Sequence, residues 1–160
     1  VIGGSDNDDT PAVTEEMLRA WELQMVDAVN EERAKVGVSP LVQDETCMAF
    51  AQFWAKHLAT VKFEHSTIAD MYAWVKGVDV EDVLEPDGSF FMTEEMGKEL
   101  ESFAGGENIT GGSSDLNNVV GRHMNTFMTS EGHRNTLLDK DFISRVIGSA
   151  VGTTASIFFW

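Results

Sequence analysis

Apolar positions recur at helical spacing along the first sixty residues. Leu18, Trp21, Met25, Val26 and Val29 form one stripe, which predicts a helix from about Thr14 to Lys35. Gly37 closes it and Ser39-Pro40 makes the turn. Met48, Ala51, Trp54, Ala55 and Leu58 predict a second helix from about Asp44 to Thr60. Ser66 or Thr67 can cap a short third helix carrying Ile68, Met71, Tyr72 and Val75. Pro86-Asp87-Gly88 reads as a turn, and Thr93 as the cap of a helix bearing Met96, Leu100 and Phe103. Leu116, Val119, Val120, His123, Met124 and Phe127 give the clearest helix, expected to stop near Gly132. The period then changes: Val146–Val151 and Ala155–Trp160 read as a terminal hairpin joined at Gly152-Thr153-Thr154. Helices first and paired strands last, without strand-helix-strand alternation, predict an α+β fold.

At 160 residues the chain is expected to be one domain, 14–160, behind a flexible acidic leader, 1–13. It begins at Val1 rather than Met, as a trimmed or mature form would. No apolar run approaches the roughly 20 residues of a membrane helix. The net charge of −16 argues against nucleic acid or an anionic membrane as partner. The charge is uneven. Nine acidic residues lie between Asp79 and Glu101 with Lys98 as the only cation. Val80, Val83, Leu84, Phe90, Phe91 and Met92 anchor the same stretch, so a folded, partly helical excursion beside the His65 motif is expected. With Cys47 alone no internal disulfide can form, which points to a bacterial or cytosolic protein. Cys47 sits in a helical pattern and reads as a packing residue.

The chemistry-bearing residues fall into three short polar motifs: Phe63-Glu64-His65-Ser66, Gly106-Glu107-Asn108-Ile109 and Ser130-Glu131-Gly132-His133-Arg134-Asn135. His65 follows a helix, and His133 is expected just past the end of one. Glycines bracket Glu107, which is expected on a loop or a very short element, where a carboxylate has no packing reason to be. Two imidazoles and a carboxylate suit a metal site or proton transfer, and a nearby carboxylate would raise an imidazole pKa. His57, beside Lys56, reads as a surface residue, and His123 as a core-edge one. Asn108-Ile109-Thr110 matches a glycosylation acceptor, but its neighbours suggest that Asn108 is used inside the fold. There is no Walker loop, HExxH, GxSxG or cysteine-based zinc pattern.

Five segments in order carry a family resemblance: Val29-Asn30-Glu31-Glu32-Arg33 with Gly37 to Leu41, the Ala51-Gln52 and Ala55 helix, Phe-x-His-Ser, Gly-Glu-Asn-Ile, and Ser-x-Gly-His-Arg-Asn. From about Met17 to Trp160 the chain resembles the CAP superfamily (cysteine-rich secretory, antigen 5 and pathogenesis-related proteins), in its bacterial, disulfide-free, SCP-like extracellular branch. The resemblance implies an α-β-α sandwich with a small antiparallel sheet between helical layers. It also implies a cleft where two histidines and two acids meet; His65, Glu107 and His133 match three of those positions. Phe127 stands where animal and plant members have the tryptophan that precedes the second acid, and counting on from it gives Ser130, not an acid, as is usual in the bacterial branch. Glu131 is adjacent, but neighbouring helical side chains point about 100° apart.

Three functions are compatible with this chain. The first is a secreted or cell-surface binding module, expected to be a monomer, whose partner is an extracellular protein or small ligand. In it the cleft is structural or holds a divalent metal such as zinc through His65 and His133. The second is a metal-dependent, peptidase-like hydrolase with Glu107 as general base. Catalytic zinc usually has three protein ligands, which weighs against it. The third is a lipid or sterol binder.

Overall fold

The computed structural model describes residues 12–100, 105–111, 115–140, 145–151 and 154–159. Most of the expected leader, Phe103 and the hairpin turn at Gly152-Thr153 lie outside these residues.

Helix α1 (Glu15–Lys35) begins at Thr14, whose side chain accepts a bond from the Met17 N–H, and Gly37 follows its end at φ 72°. Strand β1 (Val42–Gln43) leads to α2 (Glu45–Thr60), capped by Asp44. Helix α3 (Ile68–Lys76) has a reciprocal cap: the Asp70 N–H donates to Thr67 Oγ1 and the Thr67 N–H to Asp70 Oδ2. A 3-10 turn (Val80–Val83) and α4 (Glu94–Glu99) follow. Then come β2 (Gly106–Thr110), α5 (Val119–Thr129), α6 (Glu131–Leu137), β3 (Arg145–Val151) and β4 (Thr154–Phe159).

The sheet order is β1-β3-β4-β2, with β1 parallel to β3 and the other pairs antiparallel. The terminal strands therefore occupy its centre. Alternation along β2 shows how the layers are arranged. Ile109 joins an apolar cluster of α2 and α3 residues, and Glu107, two residues earlier, meets His65 and Ser66 between those helices. Asn108 points the other way and donates to the His133 carbonyl of α6 at 2.9 Å. Helices thus cover both faces, an α-β-α sandwich.

One core cluster gathers Phe50, Ala51, Trp54, Leu58 and Tyr72 around α2 and α3. The other joins Met25, Val26 and Val29 of α1 to Met124, Phe127 and Leu137 of α5 and α6. The acidic stretch after Asp79 is folded and partly helical where described. Val83, Phe90 and Met96 pack against the first cluster, Leu100 is buried, and Lys76 pairs with Glu99 at 2.8 Å.

Two expectations need correction. The fifth helix stops at Thr129 rather than Gly132, because the backbone is extended at Ser130 (φ −93°, ψ 122°). A separate helix starts at Glu131, so His133 lies in its first turn and not beyond a helix end. Glu107 is on a regular strand rather than a loop. Its flanking glycines masked a five-residue ladder with β4, formed with residues distant in sequence.

Candidate functional site

Glu107 is the fixed point of the site. Its side chain is only 9% exposed on edge strand β2, and both of its oxygens are engaged. Oε1 lies 2.8 Å from His65 Nδ1 and accepts the Ser66 N–H at 3.0 Å; Oε2 accepts the Ser66 hydroxyl at 2.6 Å. A carboxylate can accept about four bonds, and three are made here by two consecutive residues. With the carboxylate ionised, His65 Nδ1 is the donor, which leaves Nε2 with the free lone pair. The His65 side chain is 61% exposed, so this imidazole is oriented yet open to solvent.

The chain between α2 and α3 is held for this purpose. The Trp54 indole N–H donates to the Glu64 carbonyl at 3.2 Å, and Thr67, two residues after His65, is the α3 cap. Ser66 was read from sequence as an alternative cap. It serves Glu107 instead, and Thr67 alone caps the helix.

His133 lies in the opposite helical layer, on α6. Its ring packs on Phe127 at 5.4 Å, and its Nδ1 is buried with no partner. Burial, together with the charge of His65, holds its pKa below the ordinary histidine value. A raised value was the expectation from a neighbouring carboxylate. The carboxylate bonds His65, so His133 meets burial and a second imidazole instead. Around His133 the backbone is secured by Asn108 and by the Arg134 guanidinium, which donates to the Met128 carbonyl at 3.2 Å.

The other candidates stand apart. Ser130 precedes α6 without a side-chain capping bond, and Glu131 is exposed in its first turn. Neither has a bond to His65, Glu107 or His133 among the described residues. His57 is not a surface residue: its ring stacks on Trp54 at 4.2 Å and Nε2 is buried without a partner. The aromatic neighbour one turn back covers a ring that Lys56 leaves free. His123 is 2% exposed, its Nε2 also lacks a partner, and burial pushes its pKa down to about 4. Cys47 is buried and in no disulfide.

Two buried charges escaped the sequence reading. Glu22 is 1% exposed, bonded to Arg19 at 2.8 Å and Gln52 at 3.0 Å, which ties α1 to α2. Arg33 is fully buried and donates to the carbonyls of Ser39, Leu137 and Asp139, each at 2.8 Å. Asn30, one turn earlier, exchanges two bonds with the Leu41 backbone. The available signal was position: Glu22 lies four residues after Leu18 and Arg33 four after Val29, inside the apolar stripe.

As a metal site the donor set is thin. His65 Nε2 and a His133 nitrogen are suitable donors, but no group of three or more His, Cys, Asp or Glu side chains converges as ligands among the described residues. The Glu107 oxygens are occupied in orienting the 65–66 segment. The donors fit a weakly held ion and not a closed structural site.

Comparison with known proteins bears on the fold and the family. The fold is similar to an extracellular SCP-domain protein of Bacillus anthracis, with TM-score 0.62 and 18% identity. That match covers 93% of this chain and 44% of the other. A cysteine-rich secretory protein of Staphylococcus aureus gives TM-score 0.56 at 17% identity, covering 93% of this chain and 41% of that one. An outer surface protein of Borrelia burgdorferi gives TM-score 0.55 at 18% identity, covering 92% of this chain and 95% of that one. The chain thus spans less than half the length of the first two. No curated protein matches its sequence. The sequence model of the cysteine-rich secretory protein family matches residues 26–160. On that match over most of its length, the chain belongs to the CAP, or cysteine-rich secretory protein, family.

Proposed function

We propose that the chain is an extracellular or cell-surface binding domain whose recognition centre is the His65–Glu107–His133 cleft. The observation that supports this is the state of Glu107. A general base must aim a free lone pair at the water it deprotonates, and here donors from His65 and Ser66 already take three of the carboxylate's roughly four acceptor positions. Such a group orients an imidazole. The outward His65 and the burial-neutralised His133 then present nitrogen lone pairs to a ligand. A divalent ion such as zinc would be held by these two nitrogens, would supply Lewis acidity, and would leave most of its coordination sphere to the ligand. Placement outside the cell is supported by the names of the Bacillus and Borrelia neighbours. No described helix is long and apolar enough to cross a membrane.

The test pairs metal analysis with a hydrolysis assay on protein purified without chelator or affinity tag. The expectation is weak zinc binding lost in His65→Ala, and no peptide hydrolysis with zinc in excess. Zinc-dependent hydrolysis abolished by Glu107→Gln would replace this reading with the hydrolase.

A further inference from the structure

A cavity that includes neither His65, Glu107 nor His133 lies where α2 and α3 meet the start of the acidic stretch. Its volume is about 370 Å³, within the range of small-ligand pockets. Two kinds of group line it. Phe53, Trp54, His57 and Trp74 supply aromatic surface, and Asp70, Asp79 and Glu81 supply carboxylates. No lysine or arginine is among the lining residues. Lys76, on the same helix as Trp74, is drawn away to Glu99 at 2.8 Å and lies 5.6 Å from the Tyr72 ring centroid.

The rings form one continuous surface. Phe53 sits 6.5 Å from Trp74 and 6.4 Å from Trp54, and Trp54 stacks on His57 at 4.2 Å. Phe53 remains 46% exposed, a large aromatic with an open face. The carboxylates are committed only in part. Asp70 uses Oδ2 in the α3 cap, and Asp79 makes no side-chain capping bond to the 3-10 turn. Aromatic faces carry negative charge density and attract weakly hydrated cations within about 6 Å. A hard metal ion would want converging oxygen ligands, and no such group is found among the described residues. An uncharged aromatic ligand would draw no attraction from the three carboxylates, whereas a cation would.

We infer that this cavity is a binding site for a methylated ammonium group, such as the head of a choline-type ligand. The rings take the methyl surface, and Asp79 and Glu81 supply the long-range attraction. The same chemistry occurs in free choline and in a phosphocholine lipid headgroup. The acidic stretch that the sequence sets apart thereby gains a role at its first residues, as one wall of the site.

Tryptophan fluorescence and calorimetric titration of the whole chain with choline test this, with the neutral tert-butyl isostere of choline as control. Saturable millimolar or tighter binding is expected, with the isostere about tenfold weaker. Asp79→Asn with Glu81→Gln, both exposed and outside the core, should weaken choline about two- to fivefold and flatten its salt dependence. Phe53→Ala, on a half-exposed ring, should weaken it further without unfolding the domain. Competition by phosphatidylcholine vesicles would assign the headgroup as the source, and its absence the free ligand; each supports the site. Equal affinity for choline and its isostere, unchanged affinity in the Asp79/Glu81 variant, or no saturation at millimolar choline overturns it.

Discussion

The two faces of the sheet are held by different forces. On the α5–α6 side, long polar side chains reach through the core to backbone carbonyls: Arg33 to Ser39, Leu137 and Asp139, and Asn108 to His133. On the α2–α3 side, rings pack on rings, with Phe50 at 5.3 Å from Trp74 and 6.2 Å from Trp54. A hydrogen bond fixes a particular backbone atom, whereas apolar packing fixes mainly volume. The first side therefore sets where α6 and His133 lie. The second accommodates the acidic stretch by admitting Val83, Phe90 and Met96 to its cluster. Glu107 is the polar clamp on the ring-packed side, bonded to His65 and Ser66.

Removing a polar staple should have the largest effect. Arg33→Met leaves the buried Leu137 carbonyl and the partly buried Ser39 and Asp139 carbonyls without their donor and is expected to lower stability by about 3–5 kcal/mol in urea denaturation. A loss below about 1 kcal/mol would break the contrast, since it would make packing sufficient on both faces.

Next is the acid response of the same side. The His123 folded pKa, about 4, lies below its unfolded value of 6.5. Between these values the unfolded chain binds more protons. The stability is full above about pH 6.5 and is lost as pH falls through the folded value, by about 3 kcal/mol in total. His123→Leu should flatten that slope in denaturation measured from pH 7 to 4. His133, also lowered, should add a smaller slope of the same sign that remains in the variant.

Phe50→Leu, on the other face, is expected to cost about 1–2 kcal/mol. It should leave the His133 titration unchanged in NMR, whereas Arg33→Met should move it toward the ordinary value as α6 loosens. A similar His133 shift in both variants would mean that the faces are not independent. Thr67→Ala should cost about 1 kcal/mol by removing the α3 cap, and it sharpens the comparison by loosening the segment that carries His65 and Ser66.

The helices were legible because their stripes and caps are local: Thr14, Asp44, Thr67 and Thr93 all mark starts that the structure keeps. The motif order was enough for the family and the sandwich. What escaped was long-range. Glu107 on a strand, the break at Ser130, and the half-burial of His57 all depend on partners elsewhere in sequence or on side-chain stacking. Arg33 was quoted within a motif, yet its contacts with Leu137 and Asp139 span more than a hundred residues, beyond any local pattern. The pairing of Glu107 with His65 rather than His133 was equally unreadable, because it follows from which face of β2 each residue occupies.

The central claim is that Glu107 orients His65, holding a proton on Nδ1 so that Nε2 faces the ligand. Nitrogen NMR of the imidazoles at a pH where His65 is neutral tests it directly. The account predicts the Nδ1–H tautomer for His65 in the wild-type chain. In Glu107→Ala it predicts a return to the exchanging mixture of a free imidazole. An Nε2–H tautomer in the wild type, or a His65 spectrum unchanged by Glu107→Ala, would contradict it.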